Sequence, residues 1–155
     1  MDQDSIIQYI TGTFDGIDVV VASGDAFFFY NPGGERSFDH KLPFATLVTD
    51  DTYDDFSDLN RPSVFRLNIG VSKDTHHSLF GPRPLRPDAD GVVDAGHDFT
   101  ALDQLLPHPV YAPQFWVCVL NPSSATFQVA VRPLLAEAYD QSVRRHARVR
   151  TVERP

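Results

Sequence analysis

The chain has 155 residues, 42% of them hydrophobic, and a net charge of −8 from 13 basic and 21 acidic residues. That length favours one domain with a sizeable core. The excess of acidic residues argues against a nucleic-acid partner, since phosphate backbones are also negative. A single cysteine, Cys118, excludes an internal disulfide and a cysteine-rich metal site. With no apolar run as long as a membrane span and no signal-peptide pattern, we expect a cytoplasmic protein without membrane contact.

In the first half of the chain, the spacing of apolar residues predicts one helix followed by four strands. Isoleucines recur at helical spacing after an N-cap at Asp4 or Ser5, and Gly12 ends the pattern. The runs that follow are dominated by β-branched and aromatic residues. They are predicted as strands over residues 19–22, 26–30, 44–49 and 64–70.

Five aspartates lie within residues 50–59, between the third and fourth predicted strands. Clustered carboxylates suit a hard cation, but this run lacks the spacing and the glycine of a calcium loop. We therefore predict a solvated helical turn capped by acidic side chains.

The next part of the chain contains two short helical patterns and a long irregular segment. Ser72 is the predicted cap of a helix over residues 73–80, and a second helix is predicted over residues 98–106, ending before Pro107. Between them, residues 81–97 show no periodicity. A loop of that length is typically a lid or a binding loop.

The last strand and the last helix complete the predicted fold. Residues 115–122 are apolar at odd and even positions alike, which is typical of a central strand. A final helix follows to about residue 147, with a kink at Pro133, and residues 148–155 are predicted as a frayed basic tail. Because strands and helices do not alternate strictly, we predict one α+β domain over residues 1–147. Its sheet is expected to be mixed or antiparallel, with about five strands and helices packed on it.

The stretch "PHPVY" holds the main candidate for catalysis. Prolines on both sides restrict the backbone of His108, and an imidazole can accept or donate a proton near neutral pH. Tyr111, three residues further on, is the candidate hydrogen-bond donor. The alternative interpretation is a connector histidine that hydrogen-bonds its neighbours.

A second candidate set is expected to bind a ligand. Arg66 and Asn68 share one face of a predicted strand and are candidate anchors for a polar group. Lys73 follows at a helix start, where backbone N–H groups favour anions, and Trp116 is a candidate for lining an apolar pocket. The alternative is an exposed strand face on which Arg66 pairs with one of the aspartates.

Metal binding is the remaining chemistry that the residue types allow. The scattered side chains able to bind zinc are His76, His77, His97, His108, Asp94 and Asp98. No two of these histidines are at helical i, i+4 spacing, and no phosphate-binding glycine loop or hydrolase motif is present. We therefore predict no metal and no cofactor.

Several long strings resemble one protein family over nearly the whole chain. "RPSVFRLNIGVSK", "DFTALDQLLPHPVYAPQFWVCVLNPS" and "RPLLAEAY" are similar to the domain of unknown function 6194 family, which is frequent in actinobacteria. The resemblance extends over about residues 3–147 and implies no activity. The string "DTHHSLFG" departs from the family pattern that we expect, so His76 and His77 are not predicted as family-wide catalytic groups.

A more distant resemblance concerns the end of the chain. A short strand with Trp116 and Val117, a polar turn at residues 121–123, and a helix with Ala138 before Tyr139 are similar to YjbR/MmcQ-like proteins. That resemblance implies a frataxin-like α+β fold. It also carries a suggestion of double-wing DNA binding, which the acidic charge opposes.

These features lead to two functional hypotheses. The first is a cytoplasmic protein that binds a small molecule in a pocket rimmed by residues 81–97 and 107–114. It extends to a tailoring enzyme of specialised metabolism in which His108 performs acid/base chemistry. The alternative is a non-enzymatic interaction or regulatory module, with a protein or nucleic-acid partner. We expect a monomer or a homodimer.

Overall fold

A six-stranded antiparallel sheet organises the computed structural model, which describes residues 1–35, 41–82 and 96–153. The order across the sheet is β1-β2-β3-β4-β6-β5. The strands are β1 Ile17–Ala22, β2 Asp25–Tyr30, β3 Ala45–Val48, β4 Arg66–Gly70, β5 Leu105–Pro107 and β6 Trp116–Leu120. The predicted α+β class with an antiparallel sheet is confirmed, and β5 is the strand that the sequence analysis did not predict.

The helices precede the sheet, interrupt it and close the chain. They are α1 Gln3–Thr13, α2 Lys73–Phe80, α3 Ser124–Thr126 and α4 Arg132–Glu153, with a 3-10 turn at Ala112–Gln114 and a π-helical turn at Phe127–Val131. Within the described parts of the chain, no helix combines the length and the apolar character needed to cross a membrane.

The first hairpin joins β1 to β2 through a two-residue turn at Ser23 and Gly24. Both turn residues have positive φ, 54° and 87°, and Ala22 pairs with Asp25 across the two-residue loop. Positive φ at both positions matches the right-handed twist of the flanking strands. Gly24 adopts this backbone without the steric conflict that a β-carbon would bring.

Side-chain alternation along the strands separates two faces of the sheet. On one, which we call the helix face, α1 and α4 pack against the strands. Its buried residues include Ile6, Ile10, Phe28, Leu47, Leu67, Ile69, Val117, Val119 and Leu135. Each fully buried aliphatic or aromatic side chain of this kind contributes about 1.5–3 kcal/mol, so this face holds the main hydrophobic core.

The opposite face, which we call the loop face, is covered by connecting segments. Two small apolar clusters lie on it, one joining Leu59 and Val64 to the sheet and one joining Phe99 to it. The strand register places Thr46, Arg66, Asn68 and Cys118 on this face. Several polar side chains are therefore buried in the middle of a sheet.

The segment predicted as a helix over residues 98–106 is a turn followed by a strand. Asp98 accepts hydrogen bonds from the backbone N–H and the hydroxyl of Thr100, at 3.0 and 2.6 Å, and Asp103 has a φ of 57°. Such local bonds and a left-handed residue both end a helix. Leu105–Pro107 then pairs with β6 at the sheet edge, where a proline lacking an N–H is tolerated.

The predicted C-terminal helix is present, and it contains a π-helical turn ahead of Pro133. The Ser123 side chain caps its start by accepting from the N–H of Thr126 at 3.1 Å. The N–H of Arg132 donates to the carbonyl of Phe127, five residues back, so the turn ahead of Pro133 is π-helical. The missing N–H of the proline falls at the junction of this turn with α4, which continues to Glu153.

Candidate functional site

A buried arginine lies at the centre of the loop face. Arg66 is only 2% exposed. Its Nη1 and Nη2 donate to the two carboxylate oxygens of Asp54 at 3.0 and 2.7 Å, its Nε donates to Oδ1 of Asn68 at 2.9 Å, and its Nη1 also donates to Oγ of Ser57 at 2.9 Å. We call these four residues the Arg66 network. Arg66 does pair with an aspartate, as the alternative interpretation held, but the pair is buried and not exposed.

The charge of Arg66 is balanced inside the network. Burial alone would raise the pKa of Asp54, but the hydrogen bonds and the positive charge of Arg66 outweigh it and hold that pKa below its ordinary value. Asp54 is therefore ionised at neutral pH. The acidic run that was predicted as a solvated helical turn is instead an irregular loop, and one of its carboxylates reaches into the sheet face.

Asn68 positions the arginine. Its Nδ2 donates to Oγ1 of Thr46 on the neighbouring strand at 3.0 Å, while its Oδ1 accepts from Arg66. These bonds fix the amide orientation and direct the guanidinium along β4. Arg66 and Asn68 thus share a face, as predicted, with Asn68 engaged mainly by other side chains of the chain.

His108 lies at the end of β5 and is 3% exposed. Its backbone N–H donates to the carbonyl of Trp116 at 3.0 Å, and its Nδ1 accepts from the N–H groups of Val110 and Tyr111 at 3.1 and 3.0 Å. A nitrogen that accepts two N–H donors carries no proton, so the neutral imidazole has its hydrogen on Nε2. Burial, aided by the charge of Arg66, lowers the pKa of His108 to about 3, so the ring is neutral at physiological pH.

Two N–H donors converge where His108 meets the Arg66 network. Nε2 of His108 lies 3.5 Å from Nη2 of Arg66. Both nitrogens carry hydrogens in the tautomer described above, so neither accepts from the other. We call them the donor pair. The two side chains therefore lie next to each other on the loop face, one at the start of β4 and the other just after β5.

Of the two predicted aromatic residues, Tyr111 lies beside the donor pair and Trp116 packs at the end of β4. The ring of Tyr111 is 5.0 Å from that of His108, centroid to centroid, and Tyr111 is 55% exposed. Trp116 is half-buried and packs on Gly70, where an added β-carbon would lie 3.2 Å from the indole ring. One aromatic side chain therefore faces solvent beside His108, and the other covers the end of β4.

Lys73 lies away from the Arg66 network. It is exposed at the first residue of α2, beyond the C-terminal end of β4, whereas Arg66 begins that strand. The anion that this helix start favours is supplied by the chain itself. Oε1 of Glu137 accepts from the N–H of Ser72 at 3.3 Å and from the hydroxyl of Thr75 at 2.8 Å.

His76, predicted only as one of the scattered side chains able to bind zinc, is a buried residue of α2. This residue is 3% exposed, and its Nε2 has no hydrogen-bond partner among the residues that the structure describes. Burial lowers its pKa, and a hydrogen bond with the Trp116 backbone opposes that effect. The available signal was helical spacing, because His76 and Phe80 lie four residues apart on one side of α2, and their rings are 5.0 Å apart.

The remaining candidate chemistry is limited. Cys118 is fully buried, and burial raises the pKa of its thiol to about 12, which leaves it unreactive. Across residues 1–35, 41–82 and 96–153, no three His, Cys, Asp or Glu side chains lie together as a metal site. Asp94 and most of the predicted lid segment, residues 83–95, lie outside the described residues.

Comparison with known proteins gives one finding. No curated protein and no solved structure matches the chain. A family model described as "Family of unknown function (DUF6194)" matches residues 1–151. That match spans the sheet, the Arg66 network and most of α4, and it confirms the family resemblance identified from the sequence strings. The chain therefore belongs to the DUF6194 family.

Proposed function

We propose that this protein binds a small molecule at the loop face, with the donor pair as its polar contact. The observation that carries the proposal is the 3.5 Å separation of two buried N–H-bearing nitrogens, one from Arg66 and one from His108. Buried donors are nearly always matched by an acceptor. A ligand oxygen held between them would satisfy both.

The energetics of the Arg66 network support a role beyond stability. A buried ion pair often stabilises a fold no more than apolar side chains of the same volume would, because both charges must leave water. The strand positions of Arg66 and Asn68 are bordered by apolar residues on β6 that would pack well against leucine or valine. A buried arginine held by four side-chain hydrogen bonds is better explained by a role in ligand binding than by a contribution to stability.

The geometry favours a donor role for His108 over the proton-acceptor role. Its Nδ1 lone pair is occupied by two backbone N–H groups, and its Nε2 bears the hydrogen. In a catalytic version of the proposal, the neutral imidazole and Arg66 polarise an acceptor oxygen of the substrate. Tyr111, exposed beside the imidazole ring, is the candidate for a second contact with that substrate.

The proposal also includes three more specific hypotheses. The protein is cytoplasmic, it acts as a tailoring enzyme of specialised metabolism, and it is distantly related to YjbR/MmcQ-like proteins. The interaction-module alternative draws support from Arg144, Arg145 and Arg148, which line a concave surface of α4 on an otherwise acidic chain. The donor pair distinguishes the two, because a macromolecule docked on α4 would not depend on His108.

A thermal-shift screen against a metabolite library tests the proposal. A ligand at 100 times its Kd adds about 2.7 kcal/mol of stability, which raises the melting temperature measurably. We expect at least one compound to stabilise the parent protein and to lose its effect in His108→Asn. The matched control His146→Asn removes a histidine on α4 and should keep every shift. A parent that no compound stabilises, or a His108→Asn variant that keeps all shifts, would overturn the proposal.

A further inference from the structure

We infer that the group recognised by the donor pair is a neutral carbonyl oxygen, as in an amide or a ketone, and not a carboxylate or a phosphate. This inference rests on the proposed function and specifies its ligand class. It is carried by the hydrogen-bond inventory and the charge balance of the Arg66 network.

The hydrogen-bond inventory leaves two hydrogens available. A guanidinium has five N–H groups. Four of those on Arg66 are occupied, two by Asp54 and one each by Asn68 and Ser57. The fifth, on Nη2, points toward His108, whose Nε2 contributes one hydrogen.

Two hydrogens match one oxygen atom with two lone pairs. A carbonyl oxygen accepts two hydrogen bonds and is then satisfied. A carboxylate offers about four acceptor positions, and a phosphate group has three strongly accepting oxygens. In a buried site, the remaining lone pairs of either anion would lack partners. The number of donors therefore fits a carbonyl group.

The charge balance leads to the same ligand class. The positive charge of Arg66 is already neutralised by both oxygens of Asp54, and His108 is neutral. An incoming anion would place a second negative charge close to Asp54 with no second cation in the network. A buried unpaired charge is strongly unfavourable, whereas a neutral carbonyl leaves the charge balance unchanged.

Three aromatic probes of similar shape test this inference: benzamide, benzoate and phenylphosphate. The aromatic ring suits a site beside Tyr111, whose ring lies 5.0 Å from that of His108. Binding is measured by tryptophan fluorescence, since Trp116 is the single tryptophan, and by imidazole NMR signals at pH 7. We expect benzamide to bind at least tenfold more tightly than either anion, and His108→Asn to weaken benzamide binding at least fivefold.

The outcomes separate this inference from the proposed function. Benzoate binding that equals or exceeds benzamide binding, and that His108→Asn weakens, would overturn the neutral-carbonyl inference and leave the site standing. If none of the three probes binds, the inference also fails, while the library screen still decides the proposed function.

A second variant gives an independent readout. Asp54→Asn removes the charge that balances Arg66, so the folded variant should shift its preference toward benzoate by at least tenfold. If Asp54→Asn does not fold, His108→Asn and the three probes decide the inference alone. An unchanged preference in folded Asp54→Asn would contradict the charge argument.

Discussion

Arg66 binds both carboxylate oxygens of Asp54, at 3.0 and 2.7 Å, on the face of the sheet opposite the one on which α1 and α4 form the main core. The pair joins the first residue of β4 to the acidic loop of residues 50–59. Since both side chains have left water, the consequence of a substitution depends on whether one partner or both are removed.

Removing one partner of the Arg66–Asp54 ion pair should strongly destabilise the protein. Asp54→Asn leaves a buried guanidinium without its counter-charge, and we expect a loss of about 3–5 kcal/mol in the free energy of unfolding. Urea denaturation measures this loss. Asp55→Asn, one residue along and exposed, is the matched control and should change stability by less than about 0.5 kcal/mol.

Replacing both Arg66 and Asp54 by apolar residues should restore the stability that Asp54→Asn alone loses. The double variant Asp54→Leu with Arg66→Met replaces the ion pair by apolar side chains, and we expect it to be at least as stable as the parent within about 1 kcal/mol. It should also lose the ligand-dependent thermal shifts. A double variant as unstable as Asp54→Asn would show that the network is a structural requirement of the fold.

His108 should make stability depend on pH in the mildly acidic range. Its pKa is about 3 when folded and near 6.5 when unfolded, so below pH 6.5 the unfolded chain binds a proton that the folded chain does not. The stabilisation is complete above about pH 6.5 and is lost as the pH falls toward 3, with a slope of up to about 1.4 kcal/mol per pH unit. Arg66 and Asp54 are the charged groups facing this ring.

His108→Asn isolates that contribution. The asparagine oxygen can accept the two N–H bonds that Nδ1 accepts, so the turn is kept while the titration is removed. Urea midpoints between pH 4 and 7 should fall less steeply than in the parent. Some slope remains, because burial also lowers the pKa of His76. Equal slopes in parent and variant would contradict the prediction.

Gly70 should not tolerate a side chain. A β-carbon there would lie 3.2 Å from two atoms of the Trp116 ring, so in Gly70→Ala the indole must shift by a few tenths of an ångström. We expect a loss of about 1–3 kcal/mol and a shift in tryptophan emission. Gly12→Ala is the control, because nothing lies within 4 Å of its added β-carbon and alanine favours α1 by about 0.5–1 kcal/mol. Two equally stable variants would refute the packing argument.

Cys118 should react only when the protein unfolds. It lies in the centre of β6 and its thiol has a pKa of about 12, so thiolate is scarce at neutral pH. Labelling by a thiol reagent is expected to follow the unfolding rate, and to speed up in Asp54→Asn. Fast labelling of the native parent would show that the loop face opens without global unfolding.

The sequence predicted one half of the candidate site. Alternation in "VFRLNIG" placed Arg66 and Asn68 on one face, and two flanking prolines identified His108 as a restricted residue. Its proximity to Arg66 depends on β5, which the analysis assigned to a helix because "DFTALDQLL" has a helical pattern of apolar residues. Tertiary pairing with β6 outweighed that local preference.

The other half depends on contacts that periodicity does not encode. Five aspartates lie in a run without a regular pattern, and only the folded loop selects Asp54 as the partner of Arg66. The direction of the donor pair likewise follows from two backbone N–H groups in the turn after His108. The tautomer of a side chain requires coordinates, whereas its residue type can be read from the sequence.

Both long helices, α1 and α4, pack on the same side of the sheet, and connecting segments cover the other side. Connecting segments accept insertions and replacements far more readily than packed helices do. Divergence among relatives should therefore concentrate above Arg66, while the scaffold beneath it stays constant. Changes in these connecting segments could then alter ligand preference while the hydrophobic core on the helix face stays the same.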